Sequence, residues 1–346
     1  MAWSVLTQSR NGSGIAYLSR LQNRRVSFLL NRPCEASGSM DATTGAAVDL
    51  GLRVGRDEAK WVRNGVAQET VFALTSATPN ADSDSTRIDF EWRGIMSYLQ
   101  DALVYGYKTA YSSTTLPWTW INTFQTRTGG DYGITQGTTT GTPPTRQRLI
   151  ESDGTMLDEI IALSESSSGF DFSIGPDRKW NEWHTARGSS LGLTLEYGVN
   201  VLGYSYTESA EPGEIVTDAR VIGPPGSTIQ TVSDTTARTT YGRREAALSY
   251  FTEMENVTVT SSQLTNYGTA AIADRKAPLV IPSVQLVKNH PSVAWGSYWL
   301  GDTIRFRAAV GSYTTIDSTY RIIAIHVEID ENDNESVTLD LNKVIA

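Results

Sequence analysis

Gly188-Ser189-Ser190-Leu191-Gly192 has the spacing of a nucleophile elbow. Such an elbow holds a serine out on a sharp strand-to-helix turn, and an acid and a histidine arrive later in the chain. Here the following residues, Leu193-Thr194-Leu195-Glu196-Tyr197, alternate as a strand, so Ser190 reads as the end of a loop. The three histidines, His184, His290 and His326, share no metal-ligand spacing and have no cysteine partners. His326 falls on the polar face of an alternating run, where a surface side chain is expected. Asp330, Asn332 and Asn334 imitate the opening of a calcium loop, but Glu335 stands where that loop turns on glycine, and no helix follows. The segment reads as a solvated hairpin tip, with weak calcium binding as the alternative. Cys34 is the one cysteine, which rules out an internal disulfide and a multi-cysteine metal site. It reads as a small buried apolar residue rather than a reactive thiol.

No glycine-rich phosphate cradle is present. Carboxylate pairs for glycoside hydrolysis need only proximity in space, so the sequence leaves them open. No catalytic, cofactor-binding or metal-binding residue is assigned, and a protein without enzymatic activity or cofactor is expected. Trp118, Trp120, Trp180, Trp183, Trp295 and Trp299 fall in or beside expected loops. Rigid amphipathic rings there suit partner contact, core packing or sugar binding.

The net charge of −9 comes without a cluster of lysines or arginines, which argues against a dedicated nucleic-acid binder. An acidic wall is still compatible with DNA sliding past without sticking. The N-terminus lacks the layout of a signal peptide, and no run of 18 apolar residues occurs. Synthesis in a cytoplasm and no membrane-spanning segment are expected. At 346 residues the chain should form two or three compact units.

The elements that would position these residues are mostly strands. Ile304, Phe306, Ala308 and Val310 alternate with polar neighbours, as do Ile323, Ile325, Val327 and Ile329, and then Val337, Leu339 and Leu341. A period of two over three segments describes a small antiparallel barrel or sandwich, with a hairpin loop at 331–335. Val26–Leu30 and Val48–Val54 are further strand candidates, and residues 75–86 read as a loop. Three helices are expected. One follows Gly94 and carries Ile95, Tyr98, Leu99, Ala102 and Leu103 on one face, with Gly106 at its end. The second spans Met156 to Leu163, with Thr155 and Asp158 as a capping pair. The third carries Leu264, Tyr267, Gly268, Ala271 and Ile272, and Pro278 prevents its continuation. Residues 108–147 and 224–240 are rich in Thr, Ser, Gly and Pro; the first reads as an exposed loop, too polar to build a core.

Three stretches, in order, resemble the tail-tip hub proteins of siphophages, which are similar in turn to the central hub of contractile-tail baseplates and to the N-terminal hub part of tail-associated lysins. The first is Gly169-Phe170-Asp171-Phe172 followed by Leu195-Glu196-Tyr197-Gly198-Val199-Asn200-Val201. The second is Tyr241-Gly242-Arg243-Arg244-Glu245, leading into the third helix, Gln263 to Lys276, and Pro278. The third is Leu300-Gly301-Asp302-Thr303 with Tyr320-Arg321-Ile322 before the final hairpin. Asn31-Arg32-Pro33 and Trp92-Arg93-Gly94 fit more loosely. The likeness covers about residues 150–346, and the Thr-rich segment 108–147 departs from a minimal hub.

The resemblance implies a mainly β fold with an α+β part: two small antiparallel β-barrels and a lateral α/β domain. The first barrel would take 1–94, the lateral domain 95–197 with 236–283, and the second barrel 198–235 with 284–346. Three copies would present six barrels to a sixfold tail tube. The implied role is a structural, trimeric tail-tip hub in the virion of a long-tailed bacteriophage. It would join the tail tube to the host-recognition proteins and line or close the DNA exit. Implied partners are further copies of itself, a distal tail or tube protein, a tail fibre or receptor-binding protein, the tape-measure protein, and phage DNA in transit without specific binding. Some relatives carry lysins as appended C-terminal domains; none is expected here, since Ala346 follows the last expected strand. A β-rich carbohydrate-binding or cell-wall-hydrolysing tail protein is the alternative.

Overall fold

The computed structural model describes residues 3–10, 14–18, 20–41, 52–81, 86–105, 109–150, 153–165, 169–184, 186–206, 208–209, 213–223, 228–249, 260–276, 279–280, 282–310 and 314–343. The fold is mainly β, with an α+β part. Its largest sheet has 13 strands among these residues. From one edge it runs through Val201–Ser205, Ser283–Leu286, Glu335–Lys343, Thr314–Ile329, Gln22–Leu29, Glu35–Asp41, Thr86–Gly94, Val66–Ala81, Asp57–Arg63, Trp3–Ser9 and Gly14–Tyr17. Ser190–Glu196 pairs with Thr303–Val310, which returns to Thr314–Ile329. The two ends of the chain are thus stitched together by the ladder between Gln22–Leu29 and Thr314–Ile329.

The barrels expected from the resemblance are not separate closed rings among the described residues; strand pairing follows one open, branched path. One continuous core fills it, because Phe28, Trp61, Phe72 and Trp92 from the N-terminal strands join Phe306, Ile322, Ile325 and Leu339 from the C-terminal ones. The segment assigned to 198–235 is divided. Val201–Ser205 lies in the large sheet, whereas Asp218–Ile222 and Gln230–Ser233 pair with Glu245–Ser249 in a small sheet. The Ser261–Arg275 helix covers that small sheet, placing Leu264 and Ile272 against Val216, Ala219 and Val221. Pro278, Gly106 and the first part of the Val48–Val54 candidate lie outside the described residues; Leu52–Val54 is not strand, and Val54 is exposed.

The C-terminal hairpin follows the expected alternation with one phase change. Ile304, Phe306 and Ala308 are buried, as are Leu339 and Leu341. In Thr314–Ile329, Tyr320, Ile322 and Ala324 face the core, then Ile325, Val327 and Ile329. A bulge between Ile322 and Ala324 inserts one residue into the ladder, so Ile323, expected on the core face, is only half-buried and Ala324 takes its place.

Three further readings are corrected. Residues 75–81 continue the Val66–Ala81 strand and pair with Thr86–Gly94; this polar arm is held by ladder hydrogen bonds rather than burial, so composition hid it. The helix after Gly94 is a 3-10 segment, Ile95–Gln100, and Leu103 is an exposed residue on a two-residue strand. Residues 109–147, read as part of an exposed loop too polar to build a core, are not one loop. They form the Leu116–Gln125 helix and strands Thr109–Ser113 and Thr135–Thr140. Their sparse apolar residues, among them Leu116, Trp120, Ile121, Tyr132 and Ile134, enter a second core with Ile95, Leu99, Ile160 and Phe172. The Met156–Ser164 helix is as read, with Thr155 Oγ1 accepting from Asp158 N at 3.3 Å.

Candidate functional site

The short motifs are scattered along the chain, and most of them meet where the second core touches the large sheet. Asp171 lies at the start of Asp171–Ile174, paired with Lys179–Trp183. Alternation turns Phe172 and Ile174 into the core and leaves Asp171 and Ser173 on the side of the large sheet. Asp171 Oδ1 accepts from Asn31 Nδ2 at 2.9 Å, and Asn31 Oδ1 accepts from Phe172 N at 2.8 Å. Asn31 makes this two-point contact from a left-handed backbone conformation (φ 57°), which asparagine tolerates. Asp171 Oδ2 accepts from Arg187 N at 2.6 Å and from the Arg321 guanidinium.

Arg321 also donates to Gly301 O and Arg187 O at 3.1 and 3.0 Å. Asp302 closes the circuit, accepting from Ser189 N at 2.8 Å and Trp299 N at 2.7 Å. Gly188 and Gly301 have φ of 92° and 88°, and the two backbones pass so closely that a Cβ on either would overlap the other. The elbow-like sequence around Ser190 is therefore a turn built to lie against Gly301-Asp302. Ser190 opens a strand and is exposed, and no helix follows it.

Glu69, Arg187 and Trp299 extend this latch. Arg187 donates to both Glu69 oxygens at 2.6 and 2.8 Å, and Trp299 Nε1 donates to Oε2 at 2.7 Å. Burial works against the Arg187 charge, but the Glu69 hydrogen bonds and charge outweigh it and hold the guanidinium above its ordinary pKa. Cys34 lies behind this pair. Its burial, reinforced by the Glu69 charge, pushes the thiol up to about 12, the state of an inert packed cysteine. Asn200 does a similar bracing job at the 197–200 turn, accepting from Glu196 N at 2.7 Å and donating to Thr194 O at 2.9 Å. Tyr241–Glu245 stands apart: Arg244 N donates to Thr217 Oγ1 at 2.8 Å within the small sheet.

The histidines are dispersed. His184 is buried beside Glu182, at 3.2 Å. His290 caps a short 3-10 turn through Ser292. His326 holds a feature that spacing could not reveal: Nδ1 is 2.8 Å from Ser27 Oγ and Nε2 is 2.9 Å from Asp340 Oδ2. The three residue types are those of a hydrolase triad, but Ser27 lies mid-strand, registered with His326 on one side and Glu35 on the other. It has neither the strained turn nor the free amides of an oxyanion hole. The row reads as a cross-strand clasp over the seam between the two ends of the chain. Asp330 likewise serves its own turn, accepting from Asn332 N and Asn334 N at 2.8 and 2.7 Å. Among the described residues no group of three or more His, Cys, Asp or Glu is placed to hold a metal ion. No helix of the described residues is long and apolar enough to cross a membrane.

Of the six tryptophans singled out, Trp120 and Trp180 are core residues. Trp183, Trp295 and Trp299 are half-buried and line an open groove of about 780 Å³ beside the latch.

No protein-family model and no curated protein matches this sequence. The fold, in contrast, is that of phage tail proteins. The tail protein from Neisseria meningitidis MC58 superposes with a TM-score of 0.72 at 10% identity, over 99% of this chain and 97% of that one. The 43 kDa tail protein of prophage MuSo2 from Shewanella oneidensis gives 0.70 at 12% identity, covering 98% of each chain. The E. coli c3393 protein, a type VI secretion component described as structurally similar to the T4 tail proteins gp27 and gp5, gives 0.55 at 11% identity, over 98% of this chain and 76% of that one.

Proposed function

We propose that this chain is the structural hub at the tail tip of a long-tailed phage of the siphophage type. Three copies would form a ring that joins the tail tube to the host-recognition proteins and lines or closes the DNA exit. The observation that carries the reading is the likeness to two tail proteins, one of them from a prophage, each superposed over nearly all of both chains. A second support is mechanical. The residues behind the hub resemblance, Asn31, Asp171, Asp302 and Arg321, serve as a part-buried latch between sheet and second core, a use suited to a part that transmits load.

In this reading the protein is not an enzyme and needs no cofactor, and its partners are copies of itself, the distal tail or tube protein, the tape-measure protein and the tail fibre or receptor-binding protein. The acidic balance, net −9, would let DNA pass without specific binding. Cross-linking of intact tail particles followed by mass spectrometry tests the placement. Cross-links from this chain to both the tube protein and a fibre or receptor-binding protein are expected, and cross-links confined to proteins far from the tip would refute it.

A further inference from the structure

We infer that the groove beside the latch is an oligosaccharide-binding site, a property that goes beyond the hub reading and does not depend on it. The groove measures about 780 Å³, within the roughly 300–1,000 Å³ usual for ligand clefts. Its floor is the outward face of the paired strands Asp171–Ile174 and Lys179–Trp183. Alternation sends Trp180 and Glu182 inward and presents Asn181 and Trp183, with Ser173 directly opposite Asn181. Gln68 and Glu69 form one wall, and Trp295 and Trp299 another.

The lining has the chemistry of sugar recognition, in which ring C–H groups lie on an aromatic face while hydroxyls meet planar polar groups. Trp183 is half-buried, and the Arg187 guanidinium sits 4.9 Å from its ring centroid, which fixes the indole in place. Trp295 and Trp299 have their N–H groups committed to Gln68 and Glu69, so their rings are fixed as well. Rigid rings lose little entropy on binding. Ser173 is only 8% exposed, yet it lines the groove, and its hydroxyl makes no hydrogen bond among the described residues. A hydroxyl at the surface of a cleft can both donate to and accept from a ligand. Thr138, from the Thr-rich strand Thr135–Thr140, adds a second hydroxyl, and its amide is tied to Asn181 Oδ1 at 2.9 Å.

Other ligands fit less well. The one guanidinium, Arg187, is neutralised by Glu69, so a phosphate backbone or acidic lipid finds no anchor. The mixed polar wall does not offer an apolar peptide helix a continuous hydrophobic floor.

Purified full-length protein on a printed array of defined bacterial and plant oligosaccharides, followed by tryptophan-fluorescence titration with the strongest soluble hit, tests this. Saturable binding is expected, weakened roughly tenfold by Trp183→Ala and roughly fivefold by Ser173→Ala. Trp183→Phe, which keeps a ring, should retain most of the affinity, and thermal melting verifies that each variant folds. A silent array, or binding unchanged in both Trp183→Ala and Ser173→Ala, would overturn the inference. So would cross-linking of another tail protein into the groove of the assembled particle. None of these results bears on whether three copies form the hub.

Discussion

Asp171 and Arg321 are 150 residues apart in sequence and share one part-buried hydrogen-bonded ion pair, in which Asp171 Oδ2 also accepts the Arg187 amide at 2.6 Å. That single carboxylate fastens the strand that opens the second core to the longest strand of the C-terminal hairpin and to the turn between them. Its other oxygen reaches Asn31 in the N-terminal part of the chain.

Replacing Asp171 by Asn keeps the shape but leaves Arg321 and the Arg187 amide with a weaker acceptor. A loss of about 2 kcal/mol is expected, in the range for hydrogen bonds to charged groups, because both donors lose their charged acceptor. Asp177→Asn, an exposed change on the adjoining turn, should stay within about 0.5 kcal/mol. Chemical denaturation of the two variants compares them. Equal stability would mean that the latch is not a stabilising element.

Ile325 is fully buried at the centre of its strand, while its neighbour His326 points to the opposite face. Ile325→Asp should cost on the order of 4 kcal/mol or prevent folding, because it places an unpaired charge in the core. His326→Asp would stand a second carboxylate against Asp340. His326→Gln is the better control and should cost about 1 kcal/mol for the altered clasp. Similar damage from Ile325→Asp and His326→Gln would disprove the strand register.

Two carboxylates make stability depend on acid pH. The hydrogen bond from His326 lowers the Asp340 pKa against opposing burial, with help from Ser283. For Glu335, burial raises the pKa but is outweighed by hydrogen bonds from Arg63 and Trp3. Both folded values lie below the unfolded ones of about 3.9 and 4.3, so their stabilisation is present above about pH 4–5 and is lost as pH falls through the folded values. The difference in melting temperature between wild type and Asp340→Asn should therefore shrink from pH 7 to pH 3. A difference that grows on acidification would contradict the assignment.

With its thiol pushed up to about 12, Cys34 should resist alkylation in the folded protein at pH 8 and react fully in denaturant. Iodoacetamide labelling followed by intact mass measures this. Rapid labelling of the native protein would show that the segment opens readily.

The strands with strict alternation were readable because one buried face forces a period of two, as at Ile304, Phe306 and Ala308. The Met156–Ser164 helix was readable through its capping pair. The polar arm at 75–81 was not, since ladder hydrogen bonds leave no trace in side-chain polarity. The bulge at Ile323 was hidden for a related reason: the run of Ile-Ile-Ala-Ile around it is apolar in either phase. At the latch, the motif residues Asp171, Asp302 and Arg321 were visible as single residues, but their meeting depends on separations of more than a hundred positions. Glu69 and Ser27, which complete the latch and the clasp, carried no local signal. The Ser27–His326 pairing follows from strand register alone.

The central claim, a threefold tail-tip hub, is tested most directly by three-dimensional reconstruction of the intact tail particle without imposed symmetry. The account predicts three copies of this chain around the tail axis at the tip, with the large sheets of neighbouring copies around the central channel. One copy or six at the tip, or a location elsewhere on the tail, would contradict it.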